Sequence, residues 1–412
     1  MNRSSAYVLA PLVLAMSLSV SGLAHAGATG ANDNITGSGR ADRIASLGGH
    51  DKIKSKGGGD TVLSGSGNDT VDGGSGNDSL KGGSGNDSIV GGGGDDKLVG
   101  AVGLDRLDGG TGNDSLQGQG NNDVLLGGSG IDTILGAEGD DTIDAGTEDD
   151  AVDAGTGNDT VLGGDGNDEL DGNGDNDSVD GGLGDDEMAG ASGDDLLAGA
   201  DGADRMNGGP GNDVMDGGPG NDGSPAVIGG TVGGPELNGG PGNDRLTGGD
   251  GNDKLIGGDG EDYLESGPGD DWSLNGGPGN DILIDGEGND AYIKGDEGDD
   301  TIFVGPGADK VYSEQATDTV YLYDDGVRDE IYCDDYDDIG TANEGLNDRV
   351  IFVGPIDPLD KVYGDRLTCD VISTIDYLPE GWPYGPVDLG GRSQRTSVDS
   401  ASSSTSLSPR LF

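Results

Sequence analysis

Aspartate stands at every ninth position from Asp33 to Asp222, 22 times without a slip. Regularly spaced carboxylates can do two kinds of chemistry. A close pair can act as general acid and base, and a stacked series can ligate hard, oxygen-seeking cations. The surrounding residues favour ligation. Most units read Gly-Gly-x-Gly-Asn/Asp-Asp, then any residue, then an aliphatic one, as in GGSGNDSLK from Gly73 to Lys81. A carboxylate repeated in register belongs to a recurring turn, whereas a catalytic pair is a single feature of a chain.

The elements that must hold these aspartates follow from the same unit. The aliphatic residue falls two after the aspartate, at Val62, Val71, Leu80, Ile89, Leu98, Leu107 and Leu116. Its neighbours, such as Ser79 and Lys81, are polar or mixed. Three alternating residues make a very short, half-buried strand. The six residues before it form a turn, in which glycine supplies positive φ angles and lets backbones approach closely. Fixed turns between short strands at a fixed period wind a solenoid.

The nine-residue unit resembles the RTX calcium-binding repeat over roughly residues 60–309. The resemblance implies an all-β fold, a parallel β-roll (β-solenoid) of nonapeptide repeats. Two units form each coil, with a sheet on each side and Ca²⁺ between successive turns along each edge. It also implies that each turn aspartate bridges the ions above and below, with turn carbonyls completing the shell. Asp69 then meets Asp87 through a calcium, and Asp78 meets Asp96. The metal ligands so assigned are Asp60, Asp69, Asp78, Asp87, Asp96, Asp105, Asp114, Asp123, Asp132, Asp141, Asp150, Asp159, Asp168, Asp177, Asp186, Asp195, Asp204, Asp213 and Asp222, then Asp244, Asp253, Asp262, Asp271, Asp281, Asp290, Asp300 and Asp309. Multiple Ca²⁺ ions are the expected cofactor. Calcium accepts six to eight oxygens in a flexible, carbonyl-rich shell more readily than magnesium does. One buried aliphatic per nine glycine-rich residues does not offset the entropy of ordering them, so an ion that cancels aspartate repulsion and closes the turns is obligatory. Roughly 20–25 inter-turn sites would bring about +40 to +50 of charge.

Composition agrees. Glycine is 89 of 412 residues, about three times its ordinary ~7% share, and the formal net charge is −59. High charge with few aromatics ordinarily signals disorder, but disorder needs no period. Such acidity repels nucleic acid and anionic membranes. Calcium ions are the expected partners, with an extracellular glycan or protein as a further candidate. No nucleic acid and no membrane span are expected, and the chain is expected to be monomeric.

Residues 1–26 read as a secretory signal peptide. Arg3 precedes an apolar stretch from Tyr7 to Leu23, and Ala24-His25-Ala26 offers small residues for cleavage. The expected localisation is secreted, and Cys333 and Cys369 are expected to pair as one disulfide in that compartment. Residues 27–59 keep the beat but lose glycine, as a degenerate N-terminal cap would. Residues 60–222 are the regular roll, 223–238 a loop or degenerate coil, and 239–318 a second block of repeats. Residues 319–389 form an aromatic C-terminal β cap, and the Ser-rich tail 390–412 is disordered.

No catalytic set emerges. His50 is the one histidine after the signal segment and reads as a solvated turn residue. There is no HExxH and no phosphate loop, and carboxylates used as calcium ligands are not general acids. Not an enzyme is the expectation. The function expected is that of a secreted calcium-binding roll which folds on binding many ions and serves as an extracellular structural or interaction module. The alternative, a relative of RTX toxins or RTX-linked hydrolases, would need a pore or effector segment that the sequence lacks outside residues 1–26. Phe303, Tyr312, Tyr321, Tyr332 and Tyr363 each fall three after a repeat aspartate, where side chains point outward. They either pack beneath the cap or form a binding ladder. Binding of calcium is expected to fail at the glycine-poor start, between Asp222 and Asp244, and past Asp318.

Overall fold

A computed structural model describes residues 30–222, 227–228, 231–232, 237–323, 327–333, 348–353, 360–363 and 369–375. Residues 1–26, expected to be a signal peptide, and the Ser-rich tail lie outside the described residues, as does the side chain of Cys369. Among the described residues there is no helix long and apolar enough to cross a membrane. The chain divides into two compact units, Met1–Leu255 and Ile256–Phe412.

The first unit is a parallel β-roll. Strands Thr61–Ser66, Ser79–Ser84 and Lys97–Val102 pair in one sheet; Lys52–Gly57, Thr70–Ser75 and Ser88–Gly93 pair in the other. Consecutive units alternate between sheets, so in the regular coils each strand pairs with the one 18 residues on: Val62 faces Leu80, and Val71 faces Ile89. The aliphatic of each unit points inward. Val62, Val71, Leu80, Ile89, Leu98 and Leu107 are fully buried and stack into the core. Methionines 188, 206 and 215 take that role in later coils.

In the regular coils the strands run to six residues rather than the expected three, because the first half of the turn joins the ladder: Gly65 faces Gly83 and Ser66 faces Ser84. The physical reason is repetition. When every coil turns alike, each turn N–H lies under the carbonyl of the turn above, and Gly67 N donates to Ser84 O at 2.7 Å.

The step between Asp222 and Asp244 is an excursion within one coil. Met206 pairs with Leu237 and Met215 with Leu246, each 31 residues on. The extra residues include an antiparallel pair, Val227–Ile228 with Thr231–Val232.

The second unit keeps the parallel plan with single-residue insertions. Tyr263–Glu265, Ile282–Ile284, Thr301–Val304, Thr319–Tyr323, Asp348–Val353 and Cys369–Ile375 pair in sequence. Ser273–Asn275, Ile293–Lys294, Lys310–Tyr312, Glu330–Tyr332 and Lys361–Tyr363 form the facing series. The C-terminal strands therefore continue the coil.

Candidate metal centre

The turn can be numbered on Gly73 to Asp78, positions one to six. Positions two and four need positive φ: Gly74 has φ 102° and Gly76 φ 111°. Replacements keep the angle, with Ala101 at 93°, Gln119 at 85°, Asn121 at 74° and Glu148 at 75°. Position one is glycine for a different reason. A methyl group built on Gly73 would lie 2.7 Å from Asp78 Oδ2 and 2.6 Å from the carbonyl oxygen of Gly91. At Gly91 the same point is 2.4 Å from Asp96 Oδ2 and 2.7 Å from Gly109 O. Each of these turns thus holds a small space on which a carboxylate oxygen and a carbonyl oxygen from the next coil converge.

All 27 aspartates assigned as ligands are buried, none more than 3% exposed. The 18-residue pairing is present. Asp69 N donates to Asp87 Oδ1 at 2.8 Å, and Asp78 N donates to Asp96 Oδ1 at 2.7 Å. Each aspartate also accepts at its carbonyl, as when Ser79 N donates to Asp60 O at 2.8 Å. The second carboxylate oxygen is left over. From Asp60 to Asp222, Oδ2 of every ladder aspartate is buried and takes no hydrogen bond. Burial pushes these carboxyls up, to about 7 at Asp87 and Asp96 and about 6 at Asp114; the backbone N–H opposes the rise and the flanking ladder aspartates add to it.

Buried carboxylate oxygens without a donor are costly unless a proton or a cation meets them, and at neutral pH a cation can discharge the whole array. Beside position-one glycines such as Gly73 and Gly91, the free oxygen faces a carbonyl oxygen across a small space, a hard, all-oxygen donor set of the kind calcium takes. The RTX calcium-binding nonapeptide repeat matches residues 28–62, 63–98, 99–134, 126–161, 153–188, 189–223, 238–272, 273–293 and 292–320, together about two thirds of the chain. The chain belongs to that family. No curated protein matches it. It is a calcium-binding repeat protein, and its all-β parallel solenoid is the RTX β-roll.

The RTX ladder runs further than the assigned ligands. It includes Asp42 and Asp51 at the start, with Asp42 N donating to Asp60 Oδ1 at 2.6 Å and Asp51 N to Asp69 Oδ1 at 2.8 Å. It crosses the excursion, since Asp213 N donates to Asp244 Oδ1 and Asp222 N to Asp253 Oδ1, both at 2.7 Å. It extends past Asp309 to Asp329 and from Asp318 to Asp348, both at 3.1 Å. The signal for Asp42 and Asp51 was the nine-residue beat, which survives where glycine is lost, and for Asp329 and Asp348 it was the aliphatic residue two positions on.

What changes in the first RTX coils is position one. Ser55 and Ser64 stand there, and their hydroxyls donate to Gly73 O at 2.7 Å and Gly82 O at 2.8 Å. A hydroxyl so occupies the space that is open in the regular turns. A second ladder, unassigned from sequence, runs along position five. Asn86 N donates to Asn68 Oδ1 at 3.1 Å, and Asn113 N donates to Asp95 Oδ1 at 3.1 Å. Its side chains cap the coil that follows, whereas the position-six carboxylates cap the coil before.

The aromatic residues stack along the coils. Tyr312 and Tyr332 have ring centroids 4.9 Å apart, Tyr292 and Tyr312 6.0 Å, and Phe303 and Tyr321 5.1 Å, all close to parallel. Phe303 is buried rather than outward-exposed, because the row beside it is apolar at Ile284 and Tyr321.

Proposed function

We propose that this chain is exported and folds on meeting calcium outside the cell, to serve as an extracellular structural or interaction module. The observation that carries the reading is the repeated convergence of an unsatisfied buried Oδ2 with a carbonyl oxygen beside the first turn glycine, as at Asp78 and Gly91. Ladder aspartates 18 residues apart would hold each ion between them, with turn carbonyls on either side. Calcium, when bound, supplies the positive charge and oxygen coordination that the turns lack. The residues do the rest. Oδ1 fixes each aspartate to the neighbouring coil, the glycines keep the space open, and the aliphatics close the core once coils stack. Binding and folding are then one equilibrium.

A non-catalytic role fits the commitment of each ladder carboxylate to a neighbouring backbone N–H. The frequent Asn and Asp at position five and the net acidity of the chain suit interaction with cations or with cationic or polar surfaces. The deciding measurement is far-ultraviolet circular dichroism of the chain lacking residues 1–26, in EGTA and then in millimolar calcium at neutral pH. A β signal that grows with calcium supports the reading; one already complete in EGTA overturns it.

A further inference from the structure

One turn of the second unit departs from the pattern in a way that adds chemistry. In Asp285-Gly-Glu-Gly-Asn-Asp290 an aspartate occupies position one, the place kept open by glycine in regular turns. Its carboxylate enters the space itself. Asp285 is 1% exposed, and Gly305 N donates to its Oδ2 at 3.2 Å. Oxygens of Asp285, Asp290 and Asp309 all lie within 4.8 Å of one another, the one such trio among the described residues. Asp290 and Asp309 are the ordinary ladder pair, with Asp290 N donating to Asp309 Oδ1 at 2.9 Å. Independently of the trio, Asp290 Oδ2 takes no hydrogen-bond donor although its residue is only 2% exposed.

Other non-glycine residues at position one behave differently. Ser55 and Ser64 satisfy the facing carbonyl with a hydroxyl. Ala145, Ala154 and Val304 fill the space with carbon. Three ionised carboxylates cannot satisfy one another, so a third buried carboxylate at this point calls for a cation or a shared proton, and a cation discharges all three at once. A regular inter-turn position has two ladder carboxylates; this one has three, held by a backbone N–H and by burial on all sides. Affinity for calcium rises with the number of charged ligands and with the rigidity of the site.

We propose that Asp285, Asp290 and Asp309 form a distinct divalent-cation site that retains calcium at concentrations where the regular turns release it. The site rests on the calcium reading of the repeats, and adds to it a separate class of affinity set by Asp285.

The test is equilibrium dialysis of the full chain against radioactive calcium over a wide range of free concentration, with Asp285→Gly and Asp285→Asn beside it. Asp285→Gly restores the residue of the regular turns, and Asp285→Asn keeps the volume without the charge. The wild-type isotherm should show a first step of one ion, at least about tenfold tighter than the rest. Both variants should lose that step and keep the remainder, with unchanged circular dichroism at saturating calcium. If Asp285→Gly fails to fold, Asp285→Asn decides. Superposed isotherms of wild type and variants, or a wild type with no early step, overturn the site while leaving calcium binding by the repeats intact. Such a result would place a shared proton, not a cation, among the three carboxyls. Absence of binding by every chain would remove both readings.

Discussion

Each ladder aspartate performs two jobs with two oxygens, and a substitution can separate them. In Asp87→Asn the amide oxygen can still accept from Asp69 N, which now donates to Oδ1 at 2.8 Å. The charge is lost. Because Oδ2 is buried without a donor, its charge is a liability without metal and a ligand with it. Asp87→Asn should therefore raise the calcium midpoint for folding, while leaving more residual β signal in EGTA at neutral pH than the wild type shows. Calcium titrations followed by circular dichroism check both arms, and equal shifts in the same direction would contradict the division of labour. The glycines give a second residue-scale test. Gly83 has φ 120°, and a methyl group there would lie 2.0 Å from Gly65 O. Gly83→Val should destabilise the calcium-bound roll by about 1–3 kcal/mol, and Gly83→Asn by less, since Asn173 adopts φ 72° at the equivalent position. Denaturant unfolding in saturating calcium measures the order.

Among the elements, the stacked aromatics of the second unit invite a direct test. Tyr312 lies between Tyr292 and Tyr332 with both ring faces covered. Rings stacked along the coil axis present edges to solvent, so a sugar ring has no free face to lie on at Tyr312. Tyr312→Ala should cost about 1–3 kcal/mol, two aromatic contacts at about 0.5–1.5 each, without changing the number of calcium ions bound; thermal unfolding and dialysis read the two quantities. The units themselves were legible in the sequence, because one aliphatic per nine residues leaves no choice of which side chain enters the core: Val62 and Leu80 are where the beat puts them. The ligand ladder was legible for the same reason. Strand length was not, since pairing through Gly65 and Gly83 depends on the coil above having the same turn. Nor was the continuity across Asp213 and Asp244, because an excursion from one coil and a lost coil leave similar gaps in a linear sequence. The position-five ladder was hidden by exposure: Asn68 and Asn86 look like solvated turn residues until stacking places one oxygen under the next N–H. Asp285 was readable as a departure from glycine, but only the roll brings it beside Asp309.

For the whole molecule, the raised pKa values couple folding to pH, and the sign differs with and without calcium. In the folded chain, burial pushes Asp87, Asp96, Asp123 and Asp150 up to about 7 from the ordinary value of 3.8, and Asp300 up to about 8. A carboxyl whose folded pKa exceeds its unfolded value binds its proton more tightly in the fold. Its contribution is complete below pH 3.8 and is lost as pH rises through the folded pKa. Metal-free chain should therefore gain β structure as pH falls from about 8 to about 4, because protons then neutralise the buried ladder. With calcium present the same protons compete for the same oxygens, so the calcium midpoint should rise as pH falls. Circular dichroism across this range, once in EGTA and once at a fixed intermediate calcium concentration, separates the two. Opposite slopes mean that proton and calcium are alternative ways of discharging one buried array. A metal-free chain that loses structure on acidification would show that the aspartates are ionised and paired in the fold by something other than a cation.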